Sequence, residues 1–187
     1  MLWCIKRLFV KTPSGRQRLN VLAALNAITR EIVSVANDTY VTAETVCELL
    51  HRLAATHVGV PITVILDNAR YQRCDLVREA AARLHIELLF LPSYSPNLNL
   101  IERFWKFVKK RCLYGKYYAD QRAFKQAILD CIDQAPTRDQ AQLQTLLTLN
   151  FQTFKDAPLV QDQDQECLCR YQPQRQNANT KVLSMAA

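Results

Sequence analysis

Two carboxylates in this chain of 187 residues have the setting of metal ligands. Asp67 directly follows the apolar run Ile62–Leu66 and precedes Asn68, whereas Glu102 falls in the first turn of a strongly patterned helix. Thirty-four residues lie between the two carboxylates. Mg²⁺ binds hard oxygen ligands in octahedral geometry, commonly carboxylates together with substrate phosphate. The pair therefore points to divalent-metal chemistry on phosphate, with DNA as the first candidate substrate.

Each of these carboxylates also has a purely structural explanation. Open α/β sheets bind ligands at the carboxyl ends of their strands, where Asp67 lies, but an aspartate there also suits a turn in which it bonds the backbone ahead. Asn99 followed by Glu102 resembles a capping box, and the helix dipole favours a glutamate at this position. The two carboxylates together are stronger evidence for a metal site than either one alone. The turn-rich segment 92–99 fixes where the helix begins relative to the sheet, and so fixes Glu102 relative to Asp67.

The elements that must position these residues follow a strand–helix–strand pattern. A short antiparallel hairpin comes first, and a buried strand, a helix and a second strand at this spacing then indicate a right-handed parallel crossover. The predicted strands are 18–27, 31–35, 62–66 and 86–91, and the predicted helices are 42–56, 74–84, 100–113, 121–132 and 139–149. This order predicts an α/β fold.

Charge and composition suggest an anionic partner and one domain. The net charge is +7, and a hydrophobic content of 49% is sufficient for a buried core. Residues 1–30 carry six Lys or Arg and no acid, and residues 103–125 carry eight basic residues against the single acid Asp120. The helix in the second stretch has a basic face that either contacts DNA phosphates or is simply solvated surface. This face consists of Arg103, Lys106, Lys109, Lys110 and Arg111.

The remaining signals concern the compartment and the C-terminal end. Seven scattered cysteines indicate reduced thiols, and the spacing of Cys167 and Cys169 does not suit a zinc knuckle. No apolar run approaches the ~20 residues that span a membrane, and no signal peptide is evident, so we expect a cytoplasmic protein. Residues 155–187 have few large apolar side chains and six glutamines between Gln161 and Gln176. We expect one domain over 1–154 and a flexible polar tail over 155–187.

Three segments of the chain closely resemble the mariner-type superfamily of transposases, and in particular its bacterial insertion-sequence branch. They are GRQRLNVL at 15–22, ILDNAR at 65–70 and SYSPNLNLIERFW at 93–105. The likeness extends from about Trp3 to Phe154, and the family's last two catalytic acids have the same spacing as Asp67 and Glu102. The resemblance implies an RNase H-like catalytic domain, with a mixed sheet flanked by helices, in a DDE endonuclease.

The resemblance also assigns roles to individual residues. Asp67 corresponds to the second metal-binding carboxylate and Glu102 to the third, with Asn68, Arg70 and Tyr71 around them. Family members use two Mg²⁺ or Mn²⁺ ions about 3.5–4 Å apart to cleave DNA at transposon ends and to join it to a target. The basic helix face would then contact DNA. Transposon and target DNA, a second copy of the chain or an intact transposase are the expected partners, with location on the nucleoid when DNA is bound.

The start of the chain departs from this family. In an RNase H-like sheet the first strand carries the first catalytic aspartate and lies between the second and fourth strands. We expect this strand, its aspartate and the preceding helix-turn-helix region to be missing, since Asp38, the earliest aspartate, does not match. Strands 18–27 and 62–66 would then lack a partner unless residues 1–10 or another chain filled the gap, so we expect a marginally stable or aggregation-prone fragment.

These expectations lead to three hypotheses about function. The first is metal-dependent DNA cleavage and strand transfer, impaired by the absence of the first aspartate. The second is a non-catalytic DNA-binding or assembly partner that inhibits an intact transposase or forms the downstream half of a frameshifted product. The third is an inactive remnant of a decayed gene.

Overall fold

The computed structural model describes residues 17–92 and 98–151, and the backbone of residues 181–186. The strands are β1 Asn20–Asn26, β2 Ile32–Asn37, β3 Ile62–Leu66, β4 Ile86–Phe90 and β5 Lys181–Ala186. The helices are α1 Ala43–Thr56, α2 Asp75–Arg83, α3 Leu100–Cys112, α4 Gln121–Arg138 and α5 Gln140–Leu146, with a 3₁₀ turn at Arg70–Gln72. The predicted α/β fold is confirmed, and every predicted strand and helix is present, with small shifts at the ends except in α4, which is six residues longer than predicted.

The five strands form one mixed sheet in the order β2-β1-β5-β3-β4. β1 and β2 form the predicted antiparallel hairpin, and β3 and β4 pair in parallel through the α2 crossover. At the hairpin turn, the side-chain oxygen Oδ1 of Asn26 accepts hydrogen bonds from the backbone N–H groups of Ile28 and Thr29, at 2.9 and 3.0 Å. The side chain of the last β1 residue therefore fixes the turn that sets the hairpin register.

The centre of the sheet differs from the prediction. β5 lies between β1, to which it is antiparallel, and β3, to which it is parallel. This is the place that an RNase H-like sheet gives to its first strand, so the expected gap between β1 and β3 is filled within the described sheet. Six residues of the predicted flexible tail form this strand. The other edge of β1 pairs with β2, and the other edge of β3 pairs with β4. Residues 1–10, the alternative candidates for the gap, lie outside the described residues.

Helices cover both faces of the sheet, as predicted for this fold class. β1 alternates between the two faces: Leu22 and Ala24 belong to a core with α1 and α2, whereas Ala23 and Leu25 belong to a second core with α3, α4 and α5. This alternation follows from the two-residue repeat of side chains along a strand. All five residues of β3 are buried, as the prediction of a strand covered on both sides requires.

Helix α4 extends six residues beyond the predicted end at Ile132 and contains Pro136. Proline lacks the N–H group that would bond the carbonyl of residue 132, and it usually ends or bends a helix. Here Ile132 and Ala135 are both buried in the second core, and the packing of that face continues the helix to Arg138. No helix within the described ranges is long and apolar enough to cross a bilayer.

The position of β5 gives a direct stability test. Leu183 lies opposite Val64, in the middle of the ladder with β3, and opposite Asn26, in the last pair of the ladder with β1. Leu183→Pro removes one backbone donor and leaves a buried carbonyl unsatisfied, so it should lower the free energy of unfolding by about 2–4 kcal/mol in urea denaturation. Ala187→Pro, just beyond the last strand residue, is the matched control and should change little. An unchanged unfolding midpoint for Leu183→Pro would contradict the central place of β5.

Candidate metal and DNA site

Asp67 lies at the carboxyl end of the buried parallel strand β3. Leu66, the last residue of that strand, is fully buried, whereas Asp67 is exposed. The backbone N–H of Leu91 donates to the carbonyl of Leu66 at 2.8 Å, which holds the start of the β4–α3 connection beside the end of β3. The strand end thus presents the Asp67 carboxylate to solvent at the sheet edge where α/β proteins bind ligands.

The turn after Asp67 is held by another residue. Asn68 has a left-handed backbone with φ of +76°, a conformation that asparagine tolerates better than most residues. The N–H of Ala69 donates to the side-chain oxygen of Gln72 at 3.1 Å, and Gln72 itself is fully buried. Gln72 therefore makes the backbone contact that the turn explanation assigned to Asp67. Residue types and spacing gave no signal for this role of Gln72.

Tyr71 and Asp67 interact electrostatically. Burial raises the pKa of the Tyr71 phenol above its usual value, and the negative charge of Asp67 raises it further. Tyr71 is half-buried against the first core, and Arg70 beside it is exposed. Of the three residues predicted to surround Asp67, Tyr71 is therefore the one whose interaction with the carboxylate is evident.

Asn68 contributes an oxygen atom to the surroundings of Asp67. Its side-chain Oδ1 is buried and has no hydrogen-bond partner among the described residues. A buried acceptor without a partner is costly, and a cation or a water bound to a cation would satisfy it. An amide oxygen adjacent to a carboxylate is also the hard donor chemistry that Mg²⁺ prefers. The residues after β3 thus fit a divalent cation that takes its other ligands from water and phosphate.

Glu102 is the third residue of helix α3, as predicted. Asn99 is the N-cap and is buried, but its side chain makes no capping hydrogen bond to the helix. The bond between the two residues joins backbone atoms, from the N–H of Glu102 to the carbonyl of Asn99 at 3.3 Å. The capping box suggested by the sequence is therefore not formed, and capping does not account for Glu102.

The two carboxylates lie on elements that both contact β5. β3 pairs with β5 along its length, with Leu66 opposite Met185, and α3 packs against β5 and β1. Within the described ranges, no Lys, Arg or His forms an ion pair with either carboxylate. The same residues contain no group of three or more His, Cys, Asp or Glu side chains arranged to hold a metal. β5, with the sequence KVLSMA, contributes no acid of its own.

The five basic residues of α3 separate into two groups. Arg103 donates to the carbonyls of Thr148 and Asn150 at 2.8 and 3.0 Å, and Arg111 donates to Asp139 at 3.1 Å. These two arginines hold α3 against the segment that follows α4. Lys106, Lys109 and Lys110 are exposed and form no ion pair with any described residue, so they remain available to an anionic ligand.

The fold and the site define a mixed α/β protein with two carboxylates on elements that contact the central strand, neither of them in an ion pair with a described residue. The chain belongs to the family described as DDE superfamily endonuclease, which matches residues 6–125, more than half of the 187 residues. Endonucleases of this superfamily generally use divalent metals. No curated protein matches the chain.

Nineteen chains of solved structures also match. One belongs to the cryo-EM structure of the simian T-cell lymphotropic virus intasome in complex with PP2A regulatory subunit B56 gamma, at 15% sequence identity and a TM-score of 0.46. The match covers 61% of this chain and 46% of that chain, so this chain spans less than half the length of the intasome chain.

The interaction between Asp67 and Tyr71 predicts a change in titration. Asp67→Asn removes the negative charge and should lower the pKa of Tyr71, which stays above the usual tyrosine value because burial remains the larger cause. The measurement is the pH titration of tyrosinate absorbance, with a Tyr71→Phe background subtracted to isolate this residue. Asp75→Asn, which removes an exposed carboxylate on α2, should leave the titration unchanged. An unchanged Tyr71 pKa in Asp67→Asn would show that the two side chains do not interact.

Proposed function

We propose that this chain is the catalytic part of a transposase of the mariner-type, bacterial insertion-sequence branch. Its reaction is divalent-metal-dependent cleavage of DNA at transposon ends and strand transfer into a target. Asp67 and Glu102 are its metal-binding carboxylates. The substrates are therefore transposon ends and target DNA, and a second copy of the chain is the expected partner in bringing two ends together.

One observation supports this proposal above the others: among the described residues, neither carboxylate makes a hydrogen bond or an ion pair that would fix the turn or cap the helix. Gln72 makes the backbone contact at the β3 turn, and no capping box forms at the start of α3. Neither carboxylate is paired with a basic group among the described residues. Glu102 does lie in the first turn of α3, where its charge suits the helix dipole, but the dipole needs no carboxylate at this particular position. In a member of the DDE endonuclease family, metal binding is the explanation that applies to both carboxylates.

The residues around Asp67 suit that role. Bound Mg²⁺ or Mn²⁺ supplies Lewis-acid stabilisation of the attacked phosphate and activation of the attacking hydroxyl. Asp67 and Glu102 would hold the ions, with the Oδ1 of Asn68 close enough in sequence to assist. Tyr71, whose pKa is raised by burial and by the charge of Asp67, keeps its O–H group as a hydrogen-bond donor near that carboxylate. Arg70 is exposed on the same turn and carries a positive charge that suits a phosphate.

We propose that the basic face of α3 binds the phosphate backbone of DNA. Lys106, Lys109 and Lys110 are exposed on the helix that also carries Glu102. Lys109 and Lys110 in addition lie in the last turn, where a positive charge stabilises the helix dipole. Lys106 lies before that turn and has no such role, so it is the best single candidate for a phosphate contact.

The central strand favours a second candidate function. Ser184 and Met185 of β5 lie level with Ile65 and Leu66 of β3, where the family resemblance calls for a strand with an aspartate. With two carboxylates instead of three, cleavage by the chain alone is expected to be weak. The chain would then act as a DNA-binding or assembly partner that limits an intact transposase.

Nicking of supercoiled plasmid in Mn²⁺ tests the cleavage proposal. Asp67→Asn and Glu102→Gln should each reduce nicking at least ~100-fold, since even residues that only orient metal ligands contribute about 10–100-fold. Asp75→Asn and Glu79→Gln remove exposed carboxylates of α2 and are matched controls that should nick normally.

The outcomes of this assay separate the two candidates. Full nicking by Asp67→Asn would contradict the assignment of the metal site. If no form of the chain nicks DNA while all of them bind it, the accessory role replaces cleavage as the function.

The salt dependence of DNA binding tests the basic face. Each phosphate contact contributes a slope of about −0.9 to a plot of log affinity against log salt concentration. Lys106→Gln combined with Lys109→Gln should therefore weaken duplex binding and reduce the slope by up to roughly 1.8. Arg78→Gln combined with Arg83→Gln changes the net charge equally on α2, which covers the other face of the sheet. Equal slopes for the two double variants would show that the α3 face makes no specific contact.

A further inference from the structure

Helix α3 ends in an ordered turn that carries three tyrosines. We refer to residues 113–118 as the tyrosine turn. The N–H groups of Leu113 and Tyr114 both donate to the carbonyl of Lys109, at 2.9 and 3.2 Å. Gly115 follows with a φ of +69°, a left-handed conformation that favours glycine, and the N–H of Lys116 donates to the carbonyl of Leu113 at 3.4 Å. The backbone of this turn is therefore fixed by its own hydrogen bonds.

One of the three tyrosines attaches the turn to the protein. The hydroxyl of Tyr118 donates to the carbonyl of Cys112 at 2.6 Å, and its ring packs edge-on against Phe124 with the centroids 5.6 Å apart. Tyr114 and Tyr117 have no such role: they are 69% and 56% exposed. Single exposed aromatic residues are ordinary surface features. Here two exposed tyrosines lie three residues apart, one within the hydrogen-bonded part of the turn and the other just before Tyr118, which is anchored to the protein.

A basic cavity adjoins the tyrosine turn. It has a volume of about 270 Å³ and is lined by Phe107, Lys110, Arg111, Lys116 and Gln142. Lys116 belongs to the turn itself, between the two exposed tyrosines, and none of the described residues that line the cavity is acidic. Arg111 is held in place by its 3.1 Å bond to Asp139. The cavity thus combines cations with the polar amide of Gln142, which suits a phosphate group.

We propose that the tyrosine turn binds unpaired nucleotides of DNA, with a phosphate in the basic cavity and bases stacked on Tyr114 and Tyr117. This inference rests on the proposed function, since it extends the DNA path of α3 past the end of the helix. Stacking on aromatic side chains accepts any base, whereas the bases of a closed duplex are already stacked on each other. The site is therefore selective for single-stranded extensions or frayed ends rather than for a base sequence.

The test compares two DNA ligands by fluorescence anisotropy with the full chain in EDTA, so that no cleavage occurs. One ligand is a blunt duplex, and the other is the same duplex with a short single-stranded extension. We expect the extended duplex to bind about tenfold more tightly, as the stacking of one or two bases implies. Tyr114→Leu combined with Tyr117→Leu should abolish this preference and leave the affinity for the blunt duplex unchanged.

One further double variant and a stability measurement keep the result interpretable. Tyr114→Phe combined with Tyr117→Phe retains the aromatic faces and should retain the preference, which a role of the hydroxyl groups would not allow. Thermal unfolding of the leucine variant should match that of the unaltered chain, because both tyrosines are exposed. Loss of the preference in the leucine variant alone identifies stacking as the cause.

The contrary outcomes distinguish this inference from the proposed function. Equal affinity of the unaltered chain for the two ligands, or a preference that survives in the leucine variant, overturns the role of the tyrosine turn while leaving duplex binding to α3 in place. Failure of the unaltered chain to bind either ligand overturns the inference together with the proposed DNA contact.

Discussion

The structure depends on the backbone hydrogen bonds that β5 makes with β1 and with β3. β1 and β3 do not pair with each other, so the backbone N–H and C=O groups on their facing edges need a strand between them. Buried groups of this kind are costly unless they are paired. β5 pairs with both strands at once, antiparallel to β1 and parallel to β3, and so joins the hairpin to the β3–β4 pair in one sheet.

This junction also determines where the candidate site lies. Asp67 follows the strand that pairs with β5, and Glu102 lies on the helix that packs against β5 and β1. The sheet supports the site without supplying a carboxylate from its centre, because β5 has the sequence KVLSMA. The same strand therefore accounts both for the continuity of the sheet and for the weak cleavage expected of the chain alone.

Sequence patterns predicted the helices and strands whose own apolar side chains mark which face is buried. The apolar spacing predicted the buried face of α3, and four of its five residues are buried, whereas Trp105 is only partly buried. The four buried residues are Ile101, Phe104, Val108 and Cys112. β5 was not predicted, because its place is set by unpaired backbone elsewhere in the sheet and not by its own short apolar run. At the site, the exposed position of Asp67 at a strand end was predictable. The contact of Gln72 with the turn, and the absence of a cap from Asn99, depend on side-chain conformations that residue types do not specify.

The central claim is that Asp67 and Glu102 bind a divalent metal ion, and Mn²⁺ binding followed by electron paramagnetic resonance tests it without requiring catalysis. Free Mn²⁺ gives a strong signal that decreases when the ion is bound. We expect the unaltered chain to bind Mn²⁺, and we expect an affinity at least ~10-fold lower in Asp67→Asn and in Glu102→Gln, because each variant removes a negatively charged oxygen ligand. Equal Mn²⁺ affinity in all three proteins would show that Asp67 and Glu102 do not bind the metal ion.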